Sequence, residues 1–276
     1  MSRAGAQASR TADGQAATTR SPWRAVAVFV VVAVALGLLA LATSLALLNE
    51  ANGTGAGVAD DLVTGLALAV AGLAAVRFAG PTLLPSAVGR AQHRAHTVLG
   101  FASGVFFLLA LWACTQHGWT GFGAIAGVPF VVWALVELAA VLAAEYGWRG
   151  VLQPLLENKM PRTAAALVVG VAWWLWQLPV LMTGGEAVLR LLSTLVLSML
   201  LGFLGNGSPW QRALPAGLAR WMMVIAAYQF AGDDVIASDG WWARHLLAAV
   251  ITTVVFLAMF VIATRRRRAR AAAASA

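Results

Sequence analysis

Residues 26–48 read VAVFVVVAVALGLLALATSLALL, 23 positions without a charge. At 1.5 Å per residue a helix of that length reaches about 35 Å, enough to cross a hydrocarbon core of about 30 Å. In lipid the backbone must bond within its own segment, so such a run reads as a helix. The rest of the chain repeats the pattern. Apolar runs follow at Leu62–Val76, Val98–Cys114, Ala124–Ala144 (broken only by Glu137), Ala164–Met182, Leu191–Leu204, Ala213–Phe230 (containing Arg220) and Leu246–Thr264. The second and sixth runs are short and need flanking residues to span. The expected fold class is all-α: a polytopic membrane protein with about eight transmembrane helices.

Composition agrees. Of 276 residues, 61% are hydrophobic and 11% charged, with a mean hydropathy of +0.79. A soluble domain carries about 25% charged residues, so a soluble enzyme is excluded. A disulfide framework is excluded too, because Cys114 is alone in the sequence.

Charge placement sets the expected topology. With the N-terminus in the cytoplasm and eight crossings, sixteen of the 19 Lys and Arg residues fall inside. Arg190 and Arg244 fall outside and Arg220 within the membrane. Glu50, Asp60, Asp61, Glu186, Asp233, Asp234 and Asp239 all fall outside. Both termini are therefore expected in the cytoplasm, and the basic excess (net charge +8) is a topology and anionic-lipid signal. No soluble domain interleaves basic and aromatic residues, so nucleic acid is excluded as a partner. The expected partners are the lipid bilayer and a membrane peptide or protein. Residues 1–21 lack apolar periodicity and read as a disordered cytoplasmic tail. Residues 22–264 form the membrane domain, and residues 265–276 a basic cytoplasmic tail.

A charge at the bilayer centre costs about 2.5–3.5 kcal/mol on insertion scales, so each one retained there is a candidate. Glu137 and Glu145 lie on the fourth run with Arg149 at its end, Gln177 follows Trp173-Trp174-Leu175-Trp176, and Arg220 lies in the seventh. Glu145 and Arg149 are four apart, the spacing and order of an intrahelical ion pair. Arg220 needs a partner, with Glu137, Glu145 or helix-end carbonyls as options. Glu137, Glu145, Arg149, Trp173, Gln177 and Arg220 are thus candidates either to line one cavity or to clamp helices together. His93, His96, His117 and His245 all fall in loops or at helix ends. No metal site, no cofactor and no Ser/His/Asp centre is expected at membrane depth.

The stretch Ala144-Glu145-Tyr146-Gly147-Trp148-Arg149-Gly150-Val151-Leu152-Gln153-Pro154-Leu155 resembles the first signature of the CAAX-protease and bacteriocin-processing (CPBP, or Abi) family of intramembrane proteases, Glu-Glu-x-x-x-Arg continued as Trp-Arg-Gly-x-Leu-x-Pro-x-Leu. Trp173 to Pro179 is similar to the second motif, an aromatic followed by His. Gly207-Ser208-Pro209-Trp210 is similar to the lead-in to the third, His-x-x-x-Asn. Together they cover residues 120–230. The resemblance implies an intramembrane endopeptidase of a bacterial cytoplasmic membrane. It places the water-activating groups at Ala144, Gln177, Ala216 and Arg220, all four substituted, while Glu145, Arg149 and Trp173 are retained. Gln cannot take a proton near neutral pH, Ala offers no group, and Arg stays protonated. The expectation is a member without proteolytic activity that keeps a binding or regulatory role. Two alternatives stand beside it: an active endopeptidase using Glu145 with Gln177 as orienting group, and a small proton-coupled carrier using Glu137, Glu145 and Arg220.

Overall fold

The computed structural model describes residues 21–50, 56–80, 82–115, 121–125, 127–177, 186–235 and 240–275. The tail expected over residues 1–21 therefore lies, apart from Ser21, outside the described residues, as does His117. The described chain is helical: α1 (Pro22–Glu50), α2 (Ala56–Ala79), α3 (Arg90–Thr115), α4 (Phe130–Glu145), a π-helical segment (Tyr146–Leu152), α5 (Gln153–Glu157), α6 (Arg162–Trp176), α7 (Ala187–Leu204), α8 (Pro209–Val235) and α9 (Trp241–Ser275). Each of the eight apolar runs thus contains a helix; residues 178–182 of the fifth run lie outside the described residues. Six are long and apolar enough to cross a membrane, namely α1, α2, α3, the rod from α4 to α5, α7 and α9. α6 is a shorter apolar helix, and α8 has the length but carries Arg212 and Arg220. The protein is an all-helical integral membrane protein.

Proline marks where several helices begin. α1 and α8 start on Pro22 and Pro209, and α4 and α6 follow Pro129 (φ −53°) and Pro161 (φ −57°). Its fixed φ suits a helix entrance, where the missing N–H has no partner to lose. Pro129 also corrects the start of the fourth run. Ala124–Pro129 is apolar but not helical: Ile125 and Val128 exchange backbone hydrogen bonds across Gly127 at φ +76°, and the helix begins at Phe130. At the other end of the chain, α9 does not stop at Thr264 but continues through the arginines to Ser275.

Within the rod, Pro154 has no N–H to donate, and its ring would collide with the carbonyl one turn back in a regular α-helix. The chain widens just before it. The amide of Gln153 bonds back to Trp148 O, five residues away, closing the π segment. Gly147 and Gly150 lie in this wide turn. A Cβ on Gly147 would sit 2.5 Å from Leu68 O and one on Gly150 2.7 Å from Pro209 O. Only glycine lets α2 and α8 pack that closely against the rod.

Contact pairs give the relative helix directions. Gly65 meets Ala140 and Leu68 meets Gly147, so α2 runs parallel to the rod. Gly150 meets Pro209 and Gly217 meets Leu142, so α8 runs antiparallel to it. Gly100 meets Pro215 and Gly104 meets Ala219, which makes α3 parallel to α8. Gly170 meets Ser198 and Gly202 meets Ala166, so α6 and α7 are antiparallel. Ser193 meets His245 and Phe203 meets Phe260, so α7 and α9 are parallel. From α2 to α9 the long helices alternate in direction, as successive crossings require.

One end of the bundle consequently gathers the starts of α3, α6 and α8 and the ends of α2, α5, α7 and α9. The connections there are tied together. Asn158 donates to Leu83 O, Gln211 exchanges hydrogen bonds with the Val88 backbone, and Arg162 donates to Gly205 O and Asn206 Oδ1. The core between these layers is aliphatic and aromatic, including Phe29, Leu68, Phe107, Trp148, Leu155, Leu200 and Leu201.

Candidate functional site

Glu145 ends α4, fully buried, and its two carboxylate oxygens are held by two different arginines. Arg149, one turn on in the π segment, bonds Oε2 from Nε at 3.3 Å. Arg220 reaches Oε1 from α8 through Nη1 at 2.9 Å. The Arg220 guanidinium also lies 4.6 Å over the centre of the Trp173 ring on α6, within reach for a cation–π contact. Four of the six candidates (Glu145, Arg149, Trp173 and Arg220) thus meet in one place and join α4, α6 and α8.

The remaining two lie apart. Glu137 sits two turns earlier on α4, buried, with its carboxyl group beside that of Asp61 on α2. Arg220 acts on this pair electrostatically while bonding Glu145 directly. Gln177 caps the end of α6, its backbone N–H donating to Trp174 O. Ala144 and Ala216 are buried in the hydrophobic core.

Sequence reasoning stopped at Arg149, but the polar chain continues. Arg149 donates from Nη1 to Gln153 Oε1 at 3.1 Å and from Nη2 to Ser198 Oγ at 2.9 Å. Gln153 donates to Glu157 Oε1 at 2.8 Å and to Gly202 O at 3.1 Å. Glu157 receives both terminal nitrogens of Arg212, at 2.8 and 2.6 Å, with Arg162 Nε 3.7 Å away. The result is a ladder, Glu145–Arg149–Gln153–Glu157, buried down to a half-buried last rung, in steps of four along one rod and braced from α6, α7 and α8. Its four rungs were legible as spacing. Ser198, Arg162 and Arg212 were not, because only the fold brings them within reach.

The histidines need correction: His93 and His96 are not in a loop but on α3, within the apolar stretch Arg90–Thr115, and His245 is within the apolar stretch Trp241–Arg266. Its Nδ1 is 2.6 Å from Ser193 Oγ, and its ring packs among Phe107, Trp241 and Trp242. A hydroxyl–imidazole pair is the start of a nucleophilic centre, but Ser193 is buried and the pair serves to tie α9 to α7. Among the described residues no group of three or more His, Cys, Asp or Glu side chains could hold a metal ion.

No curated protein matches the chain. Residues 124–226 match the family model for type II CAAX prenyl endopeptidase Rce1-like proteins. That interval holds α4, the π segment, α5, α6, α7 and most of α8, hence every rung of the ladder and Arg220. This membrane protein therefore carries, over residues 124–226, an Rce1-like domain of the CAAX prenyl endopeptidase (CPBP) family.

Proposed function

We propose that the protein keeps the frame of a CPBP intramembrane protease but does not hydrolyse peptides, and that it acts by binding or regulation in the membrane. The observation that carries this reading is the double engagement of Glu145, the acid retained from the signature, by Arg149 and Arg220. A general base must lie within hydrogen-bond reach of the water it activates and have a proton-accepting position free. Here Arg220 brings a permanent cation to that carboxylate, at the position where the resemblance expects a neutral Asn. Two further family positions, Ala144 and Ala216, have no polar side chain, and the fourth, Gln177, cannot take up a proton. The arginine distribution supports placing both termini on the cytoplasmic side, and the resemblance supports a bacterial cytoplasmic membrane.

The test is hydrolysis by purified full-length protein in detergent or liposomes. The probes are a prenylated CAAX peptide and a membrane-inserted peptide, with Glu145→Gln as control. Cleavage should not exceed the control. Turnover that depends on Glu145 overturns the proposal and restores the endopeptidase reading. The carboxyl pair Asp61–Glu137 favours a second reading, a proton-coupled carrier. Solute uptake into liposomes that is driven by a proton gradient and lost in Glu137→Gln would establish it.

A further inference from the structure

The end of the bundle that gathers the starts of α3, α6 and α8 also gathers cations. Arg24 opens α1, Arg77 closes α2, Arg90 and Arg94 open α3, Lys159 follows α5, and Arg265 and Arg266 lie on α9. α1 joins this end because Phe29 packs on Trp148 while Gly37, two turns later, meets Trp176 at the far end of α6. All seven side chains are exposed. Among the described residues the only carboxylate at this end is Glu157, and it is already bound by Arg212 and Arg162. The other described acids, Asp60, Asp61, Glu137, Glu145 and Glu186, lie deeper or toward the opposite end.

We propose that this end is an interaction surface for anionic phospholipid headgroups. Its cations form a rim around an apolar helical bundle, so they sit where headgroups meet hydrocarbon. Among the described residues no acid neutralises them. Arg265 and Arg266 close the apolar span Trp241–Arg266 on a helix that continues to Ser275, so they stand on a rigid stem. Each Lys or Arg near an anionic membrane surface strengthens the attraction by about fivefold at physiological ionic strength. The attraction weakens as the Debye length falls to about 3 Å at 1 M salt. Nothing in this depends on whether the Rce1-like domain hydrolyses peptides.

The experiment uses full-length protein reconstituted in phosphatidylcholine. Spin-labelled phosphatidylglycerol and phosphatidylcholine report the relative association constants of lipid at the protein surface. The wild type should prefer the anionic lipid about fivefold or more in low salt. The preference should fall toward onefold in 1 M salt and in Arg77→Gln/Arg90→Gln/Arg94→Gln/Arg265→Gln/Arg266→Gln. Arg244→Gln, at the opposite end, should leave it unchanged. If the five-site variant loses helicity, the wild-type salt series decides alone. Equal association of the two lipids with the wild type, or a preference that survives salt or that Arg244→Gln removes, overturns the proposal.

Discussion

Arg220→Ala isolates the contact on which the reading of the site rests. It removes the 2.9 Å bond to Glu145 Oε1 and the guanidinium 4.6 Å above Trp173. A hydrogen bond to a charged group contributes about 1.5–3 kcal/mol, and a partly exposed cation–π contact about 0.5–1 kcal/mol. The sum is about 2–4 kcal/mol. It stays below the upper range of about 3–5 kcal/mol for stranding a buried charge, because Glu145 keeps Arg149. The side chain of Arg220 is 18% exposed and that of Arg149 2%. Arg149 also holds Gln153 and Ser198, so Arg149→Ala should be the more damaging of the two. The assay is reversible unfolding in mixed micelles followed by circular dichroism. It is run as a double-mutant cycle with Glu145→Gln, where a coupling of about 1.5 kcal/mol or more is expected. If Arg220→Ala changes stability by less than about 0.5 kcal/mol, or loses as much with Gln at 145 as with Glu, no clamp joins α4 to α8. Glu145 is then not engaged from α8.

Other substitutions probe the frame in the same assay. Gly65→Ala places a methyl against the Ala140 carbonyl and should destabilise by about 1–3 kcal/mol; Gly89→Ala, with open space around it, should cost under about 0.5 kcal/mol, and equal effects would refute the close approach of α2 to α4. Glu157→Ala leaves Arg212, 6% exposed at its side chain, without its carboxylate and should cost about 3–5 kcal/mol; a silent variant would mean the lower half of the ladder holds nothing. Ala216→His overpacks a filled core and should cost about 1–3 kcal/mol alone, but less when combined with Arg220→Asn, because the two positions are one turn apart on α8; strict additivity would show that Arg220 does not occupy the space the family gives to its catalytic pair.

Each apolar run contains a helix because the signal was long and had a single physical solution in lipid. Where local chemistry competed with hydropathy, the sequence misled. Ala124–Pro129 is as apolar as its neighbours, yet Gly127 at positive φ and Pro129 close a turn there. Counting apolar residues cannot see this. The arginines after Thr264 end the apolar stretch but not the helix, since Arg and Ala both favour helix and nothing there breaks it. The π segment was invisible for a related reason. Pro154 within a helical run signals a break or a kink, but whether the chain kinks or widens depends on Gly147 and Gly150 admitting α2 and α8 at that level.

The site divides along the same line. A contact within one helix, Glu145 with Arg149, follows from spacing alone, and the four-residue steps to Gln153 and Glu157 could have been read the same way. Contacts between helices follow only from direction and depth. Arg220 had two acids to choose from on α4, and sequence could not separate them because both face α8 within two turns. Packing decides between them. α2 runs parallel to the rod and brings Asp61 to Glu137, so Glu137 already shares a partner. Glu145, beyond the reach of Asp61, accepts the guanidinium. This division of partners also explains how one bundle keeps three carboxyl groups on neighbouring turns of α2 and α4. One is matched by two cations, Arg149 on its own rod and Arg220 from α8, and the other two lie beside each other. Deleting Asp61 should therefore redirect Arg220 toward Glu137, so the two polar centres are coupled through a single side chain although no hydrogen bond joins them.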